Sequence, residues 1–433
     1  MMIYFLYDAI LFLVTPFLAG YHICRSLQRN RPVALAERFG SQNSSDLAKI
    51  AGHDTIWVHA VSVGETIAAK SLLKSLKERF PEKKIVLSNV TETGRSVSSK
   101  LKDVDLCIYF PFDHGFAVKK AIKAIRPCCI IIVETEIWPN FLRHANMENI
   151  PVILVNGRIS DRSFTRYLRF RWLFRQFLVN FSAFCMQTGE DARRIIAIGA
   201  PPSRVNCTGN LKYDGAVPQI STEFCRELKE TYHIPHDVSV LTAGSTHQGE
   251  EETLVTVYKN LIRENRRLFL VLVPRHPERA ANVAELLRRE GVSCTLRSGL
   301  DKQPSLFRSG EVLLVDTIGE LMRFYAISDL VFVGGSMVPV GGHNILEPAS
   351  LGKPVLFGPH MSNFREITSM ILKCGGGVQV ADEKELEISL RLLLDEEEKR
   401  TQIGKNGARL LEENSGATEK HMKIISGFIN QPG

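Results

Sequence analysis

Nine apolar runs divide the chain into two halves, and each run is apolar at nearly every position rather than at every second one. TIWVHAV from Thr55, KIVLSNV from Lys84, CCIIIVE from Cys128 and PVILVN from Pro151 make up the first set. VSVLTAG from Val238, LFLVLVP from Leu268, VLLVD from Val312, LVFVGG from Leu330 and PVLFGP from Pro354 make up the second. Such runs suit parallel strands covered on both faces by helices. Helical stretches at 68–80, 250–264 and 279–290 lie between them. The rhythm predicts an α/β protein of two doubly wound, Rossmann-like domains, 30–212 and 213–433, with the boundary in the polar stretch 210–222. A chain of 433 residues is too long for one ordinary core, which agrees. Two such domains facing each other leave a cleft, and function is expected there.

The first 24 residues break the rhythm. MMIYFLYDAILFLVTPFLAGYHIC carries a single charge, Asp8, and Arg25, Arg29 and Arg31 follow it. About 20 apolar residues suffice to cross a bilayer, so 1–24 is expected to be a membrane anchor with its basic flank in the cytoplasm. No Lys or Arg precedes the run and no A-x-A site closes it, which argues against a cleaved signal peptide. Asp8 and Pro16 leave open the alternative of a buried or interfacial helix. A second unusual stretch, RSFTRYLRFRWLFRQFLVNF at 162–181, interleaves Arg162, Arg166, Arg169, Arg171 and Arg175 with aromatic and leucine residues. It reads as one helix lying on anionic lipid. A core helix leaves the arginines unexplained, and no nucleic-acid motif accompanies them.

Composition narrows the partners modestly. The formal net charge of +7 suits anionic substrates or membrane and does not argue for nucleic acid. Nine cysteines contain no C-x-x-C pair, so reduced thiols are expected rather than disulfides or zinc.

In open α/β sheets ligands sit beyond the carboxyl ends of the strands. Those ends read HAVSVGET with Glu65, VETEIWPN with Glu134 and Glu136, VNGRISDRS with Arg158, then AGSTHQGEE, VPRHPER, DTIGEL and GGHNILEP. Each has an ordinary reading. Glu65 would complement a helix dipole, Glu134 or Glu136 would pair with Arg158 or Arg126, and His247 and His276 would be loop histidines. Gly341 and Gly342 serve any tight turn. Glu347 points further, because a carboxylate after a glycine-rich loop is placed to accept from two ribose hydroxyls. A helix is expected to begin near Glu347, with Pro348 in its first turn and its stop at Gly352. No H-x-x-x-H or D-x-D stands at a strand end, so no metal is expected. Arg275, Lys212 and the Ser245–Thr246 turn would then stabilise a leaving phosphate.

HAVSVGET, VETEIWPN, TGNLKYD, GSTHQGEE, VPRHPER, DTIGELM, FVGGS and GGHNILEP together resemble the 3-deoxy-D-manno-octulosonic acid (Kdo) transferases of lipopolysaccharide synthesis. The resemblance runs in order from the N-terminus to about Phe364. It implies a GT-B fold, attachment to the bacterial inner membrane on the cytoplasmic side, and transfer of Kdo from CMP-Kdo to the lipid A precursor. By motif it implies Glu65 as general base and Glu134 and Lys212 as transition-state stabilisers. It assigns CMP binding to Pro274, Arg275, Ile318, Gly319, Glu320, Asn344, Ile345, Leu346 and Glu347, with 30–212 holding the lipid acceptor and 213–433 the donor. Ile345 stands where the family often has Pro, and Gly157 where it often has Ala. The rivals are a UDP-sugar transferase, a nucleotide-sugar epimerase, or a non-catalytic lipid-binding protein on the same scaffold.

Overall fold

The computed structural model describes residues 2–28, 34–214, 221–264, 266–300 and 307–429. Arg29 and Arg31 of the basic flank, and 215–220 of the expected boundary stretch, lie outside the described residues. The chain divides into two units, Met1–Gly215 with Asn414–Gly433, and Ala216–Glu413.

The first unit holds a sheet of seven strands: β1 (Thr55–His59), β2 (Lys84–Asn89), β3 (Leu106–Tyr109), β4 (Pro127–Val133), β5 (Val152–Gly157), β6 (Ala183–Met186) and β7 (Val205–Cys207). Their order is β3-β2-β1-β4-β5-β6-β7, with every pairing parallel. Side chains alternate across the sheet into two cores. Trp57, Val86, Ile130 and Leu154 enter one, and Ile56, Val58, Leu87, Ile131 and Ile153 enter the other. Both faces are covered, which is why the runs in the sequence are continuous.

The second unit repeats the plan with β8 (Ser239–Thr246), β9 (Leu268–Pro274), β10 (Cys294–Leu296), β11 (Val312–Leu314), β12 (Leu330–Val333), β13 (Val355–Phe357) and β14 (Gly377–Gln379), ordered β10-β11-β9-β8-β12-β13-β14 and all parallel. In each sheet the chain moves outward on one side of its first strand and then returns to the other. The switch points are therefore the carboxyl ends of β1, between β2 and β4, and of β8, between β9 and β12.

Three expectations are corrected. Residues 414–433 group with the first unit, not with the second. The helix Ala417–Ile429 buries Met422, Ile425 and Ile429 among Ile56, Leu72 and Ile131 of the first unit's core. Its buried His421 accepts from the Asn156 N–H through Nε2 (3.0 Å) and donates from Nδ1 to the Ala417 carbonyl (2.7 Å). Burial holds this imidazole down at about 4, so the ring is a neutral structural link.

The stretch 162–181 is two helices, Asp161–Arg169 and Arg171–Leu178, because Phe170 leaves the helical backbone (φ −108°, ψ 27°). The break lets Phe177 and Leu178 reach the core while Arg162, Arg166, Arg169, Arg171 and Arg175 all remain exposed.

The N-terminal segment forms a helix, Met2–Gln28, yet among the described residues no helix is long and apolar enough to cross a membrane. Instead it docks on the first unit through its polar positions. Tyr7 donates to Asp113 (2.9 Å), Asn140 donates to Asp8 (2.5 Å), and Thr15 meets His114 (2.5 Å). Tyr4 packs edge-on against Phe177, with ring centroids 5.7 Å apart. The lone Asp8 thus has a local partner in Asn140.

Glycine packing in the C-terminal helices gives a paired stability prediction. A Cβ on Gly404, within Glu397–Asn414, would stand 1.9 Å from the Gly352 carbonyl oxygen, whereas one on Gly427 meets nothing within 4 Å. Gly404→Ala should destabilise the second unit by about 1–3 kcal/mol through overpacking. Gly427→Ala should stabilise by about 0.5–1 kcal/mol by removing a helical glycine. Urea unfolding of the two variants beside the wild type checks the opposite signs.

Candidate functional site

At the end of β1 the chain turns through Val61 and Ser62 into the helix Val63–Ala68, whose N-cap is the Ser62 side chain. Glu65 lies in the first turn, 8% exposed. Its Oε2 accepts from the Val61 N–H (2.6 Å) and its Oε1 from the Ser62 hydroxyl (2.9 Å). Burial lifts the carboxyl to about 7, against the pull of the Val61 bond and with a push from Glu134. A carboxylate of that basicity, in reach of solvent at a switch point, suits proton abstraction near neutral pH.

Glu134 and Glu136 follow β4, the neighbour of β1. Glu134 has φ +61°, a backbone that a residue with a side chain adopts at a cost of about 1–3 kcal/mol. Its carboxylate faces Lys212 Nζ at 3.5 Å, so its ion pair is with a residue of the motif set. Glu136 is also lifted to about 7, by burial first and then by Glu65 and Glu134. Three carboxylates and one ammonium therefore gather at this switch point.

Lys212 is held there by a relay of amides. It sits in the 3-10 turn Leu211–Tyr213, where Asn210 Oδ1 accepts from the Lys212 N–H (3.0 Å). Asn210 donates to Gln187 (3.0 Å), Gln187 donates to the Asn156 carbonyl (3.0 Å), and Asn156 Oδ1 accepts from the Leu211 N–H (3.0 Å). Asn156 and Gln187 were not singled out in the sequence. The signal was present in VNGR, since Asn156 occupies a left-handed position (φ 54°) that asparagine tolerates better than most residues.

In the second unit the ends of β8 and β12 are joined by one buried carboxylate, Glu250, in the first turn of the helix Glu250–Arg263. Its Oε2 accepts from the N–H groups of His247 (2.9 Å) and Gly335 (2.7 Å), and its Oε1 from those of Ser336 and Met337 (both 2.9 Å). The neighbouring Glu251 is paired with Arg279 (2.8 Å). Neither glutamate was picked from the sequence, although the GEE doublet after a strand end marked a carboxylate-rich first helical turn.

The nucleotide residues expected by motif fall into two groups. Arg275 is exposed at the end of β9, with its N–H bonded to the Thr246 carbonyl (3.0 Å), and Pro274 closes that strand. Asn344 donates to Glu347 (3.3 Å) and caps the Leu346 N–H (3.2 Å). The helix Leu346–Ser350 starts there, one residue before the expected start, with Pro348 in its first turn. Gly341 (φ +107°) and Gly342 (φ +76°) form the turn, where a Cβ would strike Asn363 or Met361. A pocket of about 310 Å³ opens beside it, lined by Gly341, His360, Ser362 and Arg365 among others.

The second group is presented differently from the simple expectation. The Ile345 and Leu346 side chains are buried, 0% and 4% exposed, so only their backbone is presented. Glu320 accepts from Tyr232 (2.9 Å), Arg297 (3.2 Å) and Thr317. Burial raises its pKa, but these bonds together hold it below the usual carboxylate range, as a structural ion. Ile318 is 88% exposed and Gly319 has φ +92°, so a loop backbone and one apolar side chain are what that segment offers. Among the described residues no group of three or more His, Cys, Asp or Glu side chains is arranged to hold a metal ion.

Known proteins resemble this chain over nearly its whole length. Residues 34–215 match the family model described as 3-Deoxy-D-manno-octulosonic-acid transferase (kdotransferase). The chain is 33% identical over 431 residues, 99% of both sequences, to the 3-deoxy-D-manno-octulosonic acid transferase of Haemophilus influenzae. Among solved structures, the UDP-GlcNAc 2-epimerase from Neisseria meningitidis aligns with a TM-score of 0.54 at 14% identity, covering 87% of this chain and 99% of that one. A glycosyltransferase from Rickettsia africae aligns with a TM-score of 0.52 at 13% identity, covering 88% and 100%. At such identities those two structures speak for the GT-B fold alone, and leave the epimerase rival without support. The near-full-length relative decides the family: this chain belongs to the Kdo transferases, a family of glycosyltransferases.

Proposed function

We propose that the protein transfers Kdo from CMP-Kdo to the lipid A precursor, one or more residues in succession, with inversion at the anomeric carbon and Glu65 as general base. The observation that carries this reading is the state of Glu65. It is a buried first-turn carboxylate at the first unit's switch point, with its carboxyl lifted to about 7 and two of its acceptor positions used among the described residues. An acceptor hydroxyl donating to a remaining position loses its proton to Glu65 as its oxygen attacks the anomeric carbon. One base and one displacement invert that carbon. Lys212 and Glu134 then stabilise charge as the sugar becomes oxocarbenium-like.

In this reading the second unit holds CMP. Asn344 and Glu347 take the ribose, the glycine turn at 341–342 lets the backbone approach, and Arg275 attracts the phosphate. No metal is assigned, because arginine and backbone N–H groups take the charge of the leaving nucleotide.

The acceptor is a lipid, and the surface of the first unit suits one. The helix Met2–Gln28 turns its polar side to the protein and leaves Phe5, Leu6, Ile10, Phe12, Leu13 and Phe17 exposed, each by more than half. Trp172 is 61% exposed among the five arginines of the two short helices. An apolar face with a cationic neighbour is the signature of a helix lying in the interface of an anionic bilayer. The protein is accordingly assigned to the bacterial inner membrane on its cytoplasmic side, lying on the bilayer without spanning it.

Two experiments test these statements. Mass spectrometry of lipid IVA incubated with CMP-Kdo and detergent-solubilised protein should show whole Kdo increments, and Glu65→Gln should lower kcat by about 10²–10⁴-fold. The wild-type rate should rise with pH through about 7, as Glu65 loses its proton. Stability should move the other way. The folded state holds the Glu65 proton more tightly than the unfolded chain does, so the group's contribution is present at acid pH and is lost as pH rises through 7. Glu65→Gln should therefore be at least as stable as wild type at pH 8. An unchanged lipid mass with intact CMP binding would refute the transferase reading. Secondly, Phe12→Ser with Phe17→Ser should lower co-sedimentation with phosphatidylglycerol vesicles at least tenfold while leaving the melting temperature in place. Equal binding by the variant would exclude this face as the contact.

A further inference from the structure

Three histidines converge on the second unit's switch point, one from each strand that brackets it. His247 follows β8, His276 follows β9 and His343 lies in the loop after β12. The His247 and His343 rings are parallel within 6°, with centroids 5.2 Å apart, and their Nε2 atoms are 2.9 Å apart. His276 stands perpendicular to His247 at 6.0 Å. An N···N contact of that length is a hydrogen bond with one bridging proton, so one Nε2 donates and the other accepts. Both rings of the bonded pair are only part-buried.

The pair is built in rather than incidental. Gly335 has φ +66°, and a Cβ there would lie 2.9 Å from the His343 ring and 3.5 Å from that of His247. The N–H groups of Gly335 and His247 are both fixed by Glu250, so one carboxylate sets the position of both loops. The charged and titratable groups acting on the pair are Glu250, which favours a proton on His247, and Arg275, Arg279 and His276, which oppose one. Burial leads the same way and holds His343 down at about 4, so the resting pair is neutral. A dianion beside Arg275 would reverse that balance and draw a proton onto the pair.

We propose that His247 and His343 form a proton-sharing pair that contacts the leaving phosphate of the nucleotide donor and protonates it as the sugar departs. This rests on the reading that the second unit binds CMP-Kdo. The bond from the anomeric carbon to the phosphate oxygen breaks, and its electron pair stays on that oxygen. The acceptor oxygen forms the new bond to the anomeric carbon and gives its proton to Glu65. The imidazolium of the pair gives its proton to the phosphate, CMP leaves as the monoanion, and the pair returns to its neutral bridged state. Solvent then removes the proton from Glu65 and restores one to the pair when the next donor binds. A pair is better suited than one histidine, because it accepts one extra proton without losing the bridging bond. Binding of CMP and its departure as the monoanion are thus served by the same proton.

Calorimetry of the full-length protein with CMP at pH 7.5, in two buffers of different ionisation enthalpy, reads the proton directly. The expected result is uptake of about one proton in the wild type and close to none in His247→Gln and His343→Gln. With CMP-Kdo and lipid acceptor, both variants should lose about 10²-fold in kcat with KM changed less than threefold, and should lose the alkaline fall of the rate. Wild-type CMP binding without proton uptake overturns the proposal whatever the variants do. So do folded variants that retain kcat and the alkaline limb while only KM and melting temperature shift, since that marks a packing role. A wild type active with CMP-Kdo but insensitive at both histidines refutes the pair alone. A wild type that neither binds CMP nor uses CMP-Kdo refutes the reading beneath it as well.

Discussion

A single buried carboxylate, Glu250, fixes the shape of the second unit's ligand end. Two strands adjacent in the sheet, β8 and β12, finish in turns that have no ladder partners left, and unpaired backbone N–H groups are costly to bury. Glu250 answers four of them at once, at 2.7–2.9 Å, from the turns at His247 and at Gly335 to Met337. Removing it would strand four donors in the interior, each an uncompensated desolvation of about 1–3 kcal/mol. The loop that carries His343, Asn344 and Glu347 begins from the turn so fixed. The arrangement of the residues proposed to hold the nucleotide follows from that constraint more than from any contact they make among themselves.

The first unit solves the same problem with neutral groups. Asn156, Gln187 and Asn210 pass hydrogen bonds from the end of β5 to the turn that presents Lys212, and His421 of the C-terminal helix satisfies the Asn156 N–H. The helix Ala417–Ile429 is therefore part of the support of the Lys212 turn. Placing a relay of amides here and a charged hub there has an electrostatic consequence. The first site keeps its charges on the residues proposed to react, Glu65, Glu134 and Lys212, while the second spends a charge on architecture.

How much of this was legible in the sequence depends on the length of each signal. Nine strands were readable because parallel strands buried on both faces leave continuous apolar runs, and all nine are present. Strands β3, β6, β7, β10 and β14 were not read; β7, β10 and β14 have exposed positions, and β3 is buried at every second residue, so no continuous apolar run marked these four. The two-unit plan and the strand-end residues followed from topology. The return of the C-terminal helix to the first unit did not, because an amphipathic helix does not state which sheet its face will meet. The N-terminal helix was legible as apolar, but its docking on the first unit was not, for a related reason. Its apolar content is genuine, but the polar residues Tyr7, Asp8 and Thr15 recur on one side, where they bond to Asp113, Asn140 and His114. A count of apolar residues does not register that they share a face. Long-range hydrogen bonds such as those of Glu250 leave no local pattern at all.

Glu65 and Glu250 occupy equivalent positions, in the first helical turn after the first strand of their sheet, and both are buried. Their different roles can be argued from the count of donors. An ionised carboxylate offers about four acceptor positions. Four backbone N–H groups fill those of Glu250, so it has no capacity for a substrate and its place in the fold is fixed. Glu65 receives one N–H and one hydroxyl, too few to offset its burial, and its carboxyl is accordingly driven up to about 7. The deficit that makes Glu65 a poor buried anion is what the proposed role needs, positions open for an incoming hydroxyl and the basicity to deprotonate one. At the first strand of each parallel sheet, full satisfaction makes Glu250 structural, and partial satisfaction leaves Glu65 with the capacity that its proposed role requires.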